Sequence, residues 1–244
     1  MEPWRDELYH HGIKGQQWGV SHGPPYPVNK DNHVTRIKAG TKITRISRYD
    51  ESKSKGHAYV TYNNLDKERY KGFFAGALNA NPWKKKTKVY QVEMEAKKDL
   101  VAPDNETKRK FFKEMYAGDK EFRKQLGDYH KDNKLHTHAF LPRKFYEKKF
   151  SELNQYQLDD IGYKTFVSAL GGNEYIRSAY FNKLAKAGYN FVNDDLDAGK
   201  KFGKEPAILI DRKKSTKYLG QRELSSKEIH ENWRKYGTHL RKGD

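Results

Sequence analysis

Five short stretches rich in β-branched and aromatic residues are scattered along the chain: TKITRIS (41–47), AYVTY (58–62), KVYQVEMEA (88–96), EPAILID (205–211) and STKYLG (215–220). Each has the composition of a short strand, and KVYQVEMEA sets Tyr90, Val92 and Met94 on one face by simple alternation. Segments with helical spacing lie between them, so the strands can pair only if distant parts of the chain return to one another. The expected fold is therefore α+β, with mostly antiparallel strands assembled from separate segments and helices inserted between them.

The helical segments carry their own signals. Asp66 precedes Tyr70, Phe73, Phe74, Ala77 and Leu78, one face of a helix with an acidic residue at its start to satisfy free amides. NETKRKFFKEMYAG follows with Phe111, Phe112 and Met115 at helical spacing and Gly118 as its end. Residues 119–149 are polar and basic, with a periodicity too poor to define more than short helices around a loop. SELNQYQLDDIGYKTFVSAL predicts a helix stopped by Gly171 and Gly172, and NEYIRSAYFNKLAKAG predicts another, capped by Asn173 and stopped by Gly188. A last helix is expected over residues 226–236.

Hydrophobic residues make up 35% of the 244 and charged residues 33%, which leaves a lean core. The 17 Tyr, 12 Phe and 4 Trp carry much of the area available for burial. Residues 1–35 are irregular, with Gly23, Pro24, Pro25 and Pro27 blocking regular structure, and read as a tail and linker ahead of one domain over 36–244. No internal repeat is visible.

The formal net charge is +17 and is unevenly distributed, with residues 84–149 basic and residues 151–199 mildly acidic. Such a field attracts phosphate-rich partners or simply keeps the protein soluble, and does not choose between them. The absence of cysteine excludes a disulfide framework, a thiol nucleophile and cysteine-ligated zinc. No run of about 18 apolar residues and no charged-then-apolar leader is present, so no membrane partner is expected and a cytoplasmic site of synthesis fits. GxxxxGK[ST] and GxGxxG are both missing, which removes support for ATP hydrolysis and for Rossmann-type binding.

Three pieces stand in a telling order: TRIS around Arg45, GHAYVTYNNLDKERYKGFFA from Gly56, and GYNFVNDDLDAGKKFGKEPAILID from Gly188. An arginine on a first strand, a hydroxyl among aromatics on a second and a carboxylate opening a late strand together resemble the ADP-ribosyltransferase fold, particularly its phage-encoded members. The resemblance covers roughly residues 36–220 and implies a split antiparallel sheet with inserted helices. It implies NAD as substrate, with ADP-ribose passed to a host protein or nucleic acid in the bacterial cytoplasm. By that resemblance Arg45, Thr61 and Glu205 are the catalytic set, Thr61 standing where serine is commoner and holding the Glu205 carboxylate in place. A carboxylate suits the oxocarbenium-like sugar formed when the nicotinamide bond breaks, and a planar guanidinium suits a pyrophosphate. Arg45, His57, Tyr59, Tyr62, Tyr70 and Phe73 are the candidates to touch NAD, although core packing is the better reading for most of the aromatics.

Members that modify arginine carry a second carboxylate two residues before the catalytic one, a position held here by Gly203, so arginine is a doubtful acceptor. Asp194, Asp195 and Asp197 offer assistance, a cation site or a turn, and a turn is favoured because more oxygen ligands are wanted for calcium. His136 and His138 lack a third ligand, so no metal is expected. Two further classes remain open: a non-enzymatic virion or accessory protein that binds nucleic acid or a protein partner through an ADP-ribosyltransferase-like fold, and a ribonuclease using His and Lys.

One more segment stands apart. YHHGIKGQQWGV begins at Tyr9, ends at Val20 and carries Gly12, Gly15 and Gly19 with no apolar periodicity. It resembles an HHGIKGQ-x-WG segment found on otherwise unrelated phage and prophage proteins of Gram-positive bacteria, often beside head-associated ones. The resemblance implies docking to a phage structural protein, and loading into the virion, with Trp18 as the anchor.

Overall fold

The computed structural model describes residues 35–51, 56–73, 88–135, 149–194 and 206–236. Along the chain come β1 (Arg36–Ile37), β2 (Lys42–Ser47), β3 (Ala58–Val60), α1 (Asn64–Phe73), β4 (Tyr90–Ala96) and β5 (Leu100–Val101). The helices α2 (Asn105–Gly118), α3 (Lys120–Leu135), α4 (Tyr163–Gly172) and α5 (Glu174–Lys186) follow. Then come β6 (Phe191–Asn193), β7 (Ala207–Leu209), α6 (Arg212–Ser215), β8 (Thr216–Glu223) and α7 (Ser226–Tyr236). The described residues fall into two units, one running to Ala102 and resuming at Asn190, the other Pro103–Tyr189.

The first unit holds every one of these strands, and every pairing is antiparallel: β1 with β5, β2–β4–β8, and β3–β7–β6. Burial makes the separate ladders share one core. Ile43, Val92 and Met94 from one three-stranded sheet, Val60, Ala207, Leu209 and Phe191 from the other, and Ile37 and Leu100 from the short ribbon pack together. Among the described residues one bridge joins the backbones of the two larger sheets, in which Thr44 N donates to Thr61 O at 2.7 Å and Thr61 N to Thr44 O at 2.8 Å. β8 carries a bulge opposite Glu93 and Met94, and Gly220 takes up its strain at φ 149°, a region other residues rarely enter.

Two helices close the outer side of this unit. α1 is capped by Asn63, whose Oδ1 accepts from Leu65 N at 2.8 Å, while the expected cap Asp66 lies inside the first turn and is fully buried. Position explains the difference, since a cap must precede the amides it satisfies and Asn63 stands immediately before α1. α7 lies against α1 so closely that a Cβ on Gly72 would fall 2.8 Å from Trp233 N. Charge ties the pair as well, Lys71 of α1 reaching the Glu228 carboxylate of α7 at 3.1 Å, while Arg222 of β8 grips that carboxylate with both terminal nitrogens at 2.8 and 2.7 Å. The hydrogen bonds from Arg222, opposed by burial and reinforced by Lys71, hold the Glu228 carboxyl down from 4.5 to about 2.

The second unit is helical among its described residues and is built on aromatic rings. Phe166 of α4 stacks on Phe112 of α2 at 5.2 Å and meets the edge of Tyr180 of α5 at 4.9 Å, with Phe122 of α3 beside it at 5.9 Å. α3 is one helix of 16 residues where the sequence suggests only short pieces. Its buried stripe, Phe122, Leu126 and His130, recurs every four residues but is diluted by charge on every other face. The expected 151–170 helix is broken: a 3₁₀ turn at Phe150–Glu152, a restart capped by Asn154, and a π-helical turn at Leu158–Gly162 precede α4. Gly171 and Gly172 are its last residues, not its stop, and Asn173 caps α5 by accepting from Ile176 N at 3.0 Å.

Replacing Gly72 by alanine should push α7 off α1 and lower the unfolding free energy by about 1–3 kcal/mol, measurable as a fall in the urea midpoint with m unchanged. Glu228 binds fewer protons folded than unfolded, so its contribution is present above about pH 4.5 and is lost as pH falls toward about 2. Allowing for solvent screening, Glu228→Gln should cost about 1 kcal/mol at neutral pH and nothing near pH 2. Urea titrations of both proteins at the two pH values check this.

Candidate active site

Arg45 sits where alternation on β2 sets it on the same face as Ile43 and Ser47, opposite Val92 of β4. Its side chain is held on two sides. Nε donates to Glu51 Oε1 at 2.9 Å, and Nη1 reaches across to the carbonyl of Tyr59 on β3 at 3.2 Å. No hydrogen bond of Nη2 occurs among the described residues. A guanidinium with its plane fixed and donors left over suits an anionic oxygen, because the fork needs no further ordering to bind it.

Glu51 is the centre of this arrangement and is 5% exposed. Besides Arg45, its Oε1 accepts from Ser47 Oγ at 2.8 Å, and its Oε2 accepts from Arg212 Nη1 at 2.8 Å. Arg212 Nη2 also donates to the Glu51 carbonyl at 2.5 Å, and Glu51 N donates to Gln221 Oε1 at 3.0 Å. One carboxylate is thus shared by two guanidinium groups, itself fixed at both backbone and side chain. α6 holds Arg212 in place: Asp211 caps the turn by accepting from Lys214 N at 3.0 Å, and Arg212 N donates to Gly56 O at 2.8 Å.

The aromatic candidates separate into two groups. Tyr59 is 38% exposed, and its ring meets that of exposed His57 edge to face at 6.1 Å. Arg45 binds Tyr59 through its backbone carbonyl, so the guanidinium is tied to the strand that carries these two exposed rings. Tyr62 instead packs on the core shared by the sheets, and Tyr70 is half-buried on α1. Phe73 ends α1, with its side chain outside the described residues.

Thr61 lies at the bridge between the sheets, with its hydroxyl donating to Asn63 O at 3.3 Å and accepting from Asn63 N at 3.2 Å. That hydroxyl shapes the turn into α1. Glu205 lies outside the described residues, as do Gly203, Asp195, Asp197, His136, His138 and the segment from Tyr9 to Val20. The described chain resumes at Pro206, whose carbonyl accepts from Asp194 N at 3.0 Å, and Ala207 then pairs with Val60.

Glu51, Ser47, Arg212 and Gln221 went unseen in the sequence. Glu51 sits in an unpatterned polar loop, and Arg212, 161 residues away, looks like any surface cation after a capping aspartate. The only local hint was Ser47, two residues beyond Arg45 on the same strand face. Among the described residues no group of three or more His, Asp or Glu side chains is arranged to hold a metal ion, and no helix is long and apolar enough to cross a membrane.

Removing the Glu51 carboxylate should leave the buried Arg212 and the partly exposed Arg45 without their shared anion, so Glu51→Ala is expected to cost about 3 kcal/mol. Denaturant unfolding of the variant checks this; a loss under about 1 kcal/mol would mean that the ion pairs contribute little.

Compared with protein-family models, with curated proteins and with solved structures, the chain finds no match.

Proposed function

We propose that this protein is an NAD-dependent ADP-ribosyltransferase of phage origin, built on an ADP-ribosyltransferase-like split sheet. The observation that carries the reading is the Arg45 guanidinium clasped across the two sheets, with Nη1 on the Tyr59 carbonyl of β3. β3 in turn pairs with β7, the strand that opens two residues after Glu205. The arginine, the aromatic strand and the strand entered from the carboxylate are therefore consecutive neighbours in one unit.

In this reading the remaining donors of Arg45 take the pyrophosphate of NAD, and the exposed rings of Tyr59 and His57 lie along the nicotinamide. The bond between nicotinamide and C1′ of ribose breaks with its electron pair going to nicotinamide, which leaves neutral. Glu205 stabilises the positive charge that develops on the sugar, and an acceptor nucleophile then bonds to C1′ and loses its proton. Thr61 keeps β3 in register beside β2 through its backbone bridge to Thr44. The segment from Tyr9 to Val20 belongs to the same reading, as a docking element for a phage structural protein.

Release of nicotinamide from NAD by the purified chain, with and without host lysate, tests the reaction. Glu205→Gln is expected to lower the rate by about 10²-fold or more, and Arg45→Lys to raise KM for NAD through loss of the planar fork. Full activity in Glu205→Gln, or no nicotinamide release by the wild type under either condition, would overturn the reading.

A further inference from the structure

At one corner of the first unit, five lysines crowd together. Lys97 and Lys98 form the turn between β4 and β5, Lys213 and Lys214 lie on α6, and Lys217 begins the exposed part of β8. The backbone brings them side by side. Lys97 N donates to Ser215 O at 3.0 Å, Lys97 Nζ to Lys213 O at 2.8 Å, and Ala96 and Glu95 pair with Thr216 and Lys217.

All five are exposed, and Lys97, Lys98, Lys213 and Lys217 form no ion pair among the described residues. Three acids lie nearby: Asp211 pairs with Lys214 at 3.5 Å, Asp99 is taken by Lys38 at 2.9 Å and Arg36 at 3.9 Å, and Glu95 of β4 stands opposite Lys217, which leaves the corner with an excess of lysines. Like charges gathered at one exposed corner repel unless counterions or a polyanion sit over them.

We infer that this corner binds the phosphate backbone of a nucleic acid. Several ammonium groups in a row fit a chain of regularly spaced phosphates, and a chain that displaces their condensed counterions gains affinity by releasing them. The location adds to the argument, because α6 presents Lys213 and Lys214 outward from the same turn whose Arg212 holds Glu51 and, through it, Arg45. As a binding surface this stands without any enzymatic role. As the seat of the acceptor it rests on the proposed reaction and makes nucleic acid the substrate that receives ADP-ribose.

The test is fluorescence anisotropy of a labelled single-stranded DNA of about 20 nucleotides against the full chain, titrated from about 50 to 200 mM salt. A variant with Lys98, Lys213, Lys214 and Lys217 all changed to Gln removes the patch while keeping Lys97 on its carbonyl. Its plot of log K against log salt is expected to flatten by about 3 units, at roughly 0.7 per phosphate contact. A second variant with Lys110, Lys120, Lys124 and Lys131 changed to Gln removes the same charge from exposed positions of the helical unit and should leave the slope unchanged. An unaltered slope in the first variant, equal flattening in both, or binding to anionic vesicles with none to DNA would overturn the inference. Nicotinamide release without nucleic acid, measured on the same patch variant, should equal that of the wild type. A protein that binds DNA through the patch but releases no nicotinamide would keep this surface and lose the proposed reaction.

Discussion

Two hydrogen bonds between Thr44 and Thr61 hold the strand-bearing unit in its form. Without them the β2–β4–β8 and β3–β7–β6 sheets would have no backbone-to-backbone link among the described residues, leaving side-chain packing and the reach of Arg45 to the Tyr59 carbonyl. With them, β3 is held at one point along β2. The residues on either side then diverge, β2 toward Arg45 and Ser47 and β3 back through Tyr59 to His57. A bridge of one residue pair is enough because the core beneath it, with Ile43 and Val60 among its members, is buried on both strands. A wholly continuous sheet would instead cover the Tyr59 carbonyl that Arg45 uses.

The divergence also explains why a charged cluster can sit beside that core. Glu51, Arg45 and Arg212 are largely removed from water, and such groups are tolerated only when their hydrogen bonds are met. Ser47, Gln221, the Tyr59 carbonyl and the Glu51 carbonyl meet them here. The cluster draws on β2, β3, the loop after β2, α6 and β8, so it pins together pieces of chain that are remote in sequence. Specific geometry at Arg45 is the consequence, with or without a net gain in stability.

Much of the first unit was legible in the sequence because it rests on local signals. Alternation in TKITRIS and KVYQVEMEA marks β2 and β4, and Ser226 to Tyr236 reads as a helix and is one. The three-residue β6 and the two-residue β1 and β5 carry no such signal and exist only because distant partners supply their hydrogen bonds. α3 was obscured for a different reason: Phe122, Leu126 and His130 form a stripe too narrow to stand out among its lysines and glutamates. In the candidate site, Arg45 was visible from the order of motifs, whereas Glu51 and Arg212 were not, since their partnership is purely tertiary. Thr61 shows the limit in the other direction. The resemblance expects it to hold the Glu205 carboxylate; its hydroxyl serves Asn63 and the turn into α1, and its backbone bridges to Thr44.

The central claim is that Arg45, fixed by Glu51 and Tyr59, is the anchor for the pyrophosphate of NAD. A crystal structure of the protein grown with NAD at saturating concentration tests it most directly. The expected result is a pyrophosphate oxygen within hydrogen-bond reach of Arg45 and the nicotinamide ribose against Glu205. A dinucleotide bound elsewhere, or no bound dinucleotide and an Arg45 still held only by Glu51 and the Tyr59 carbonyl, would contradict it.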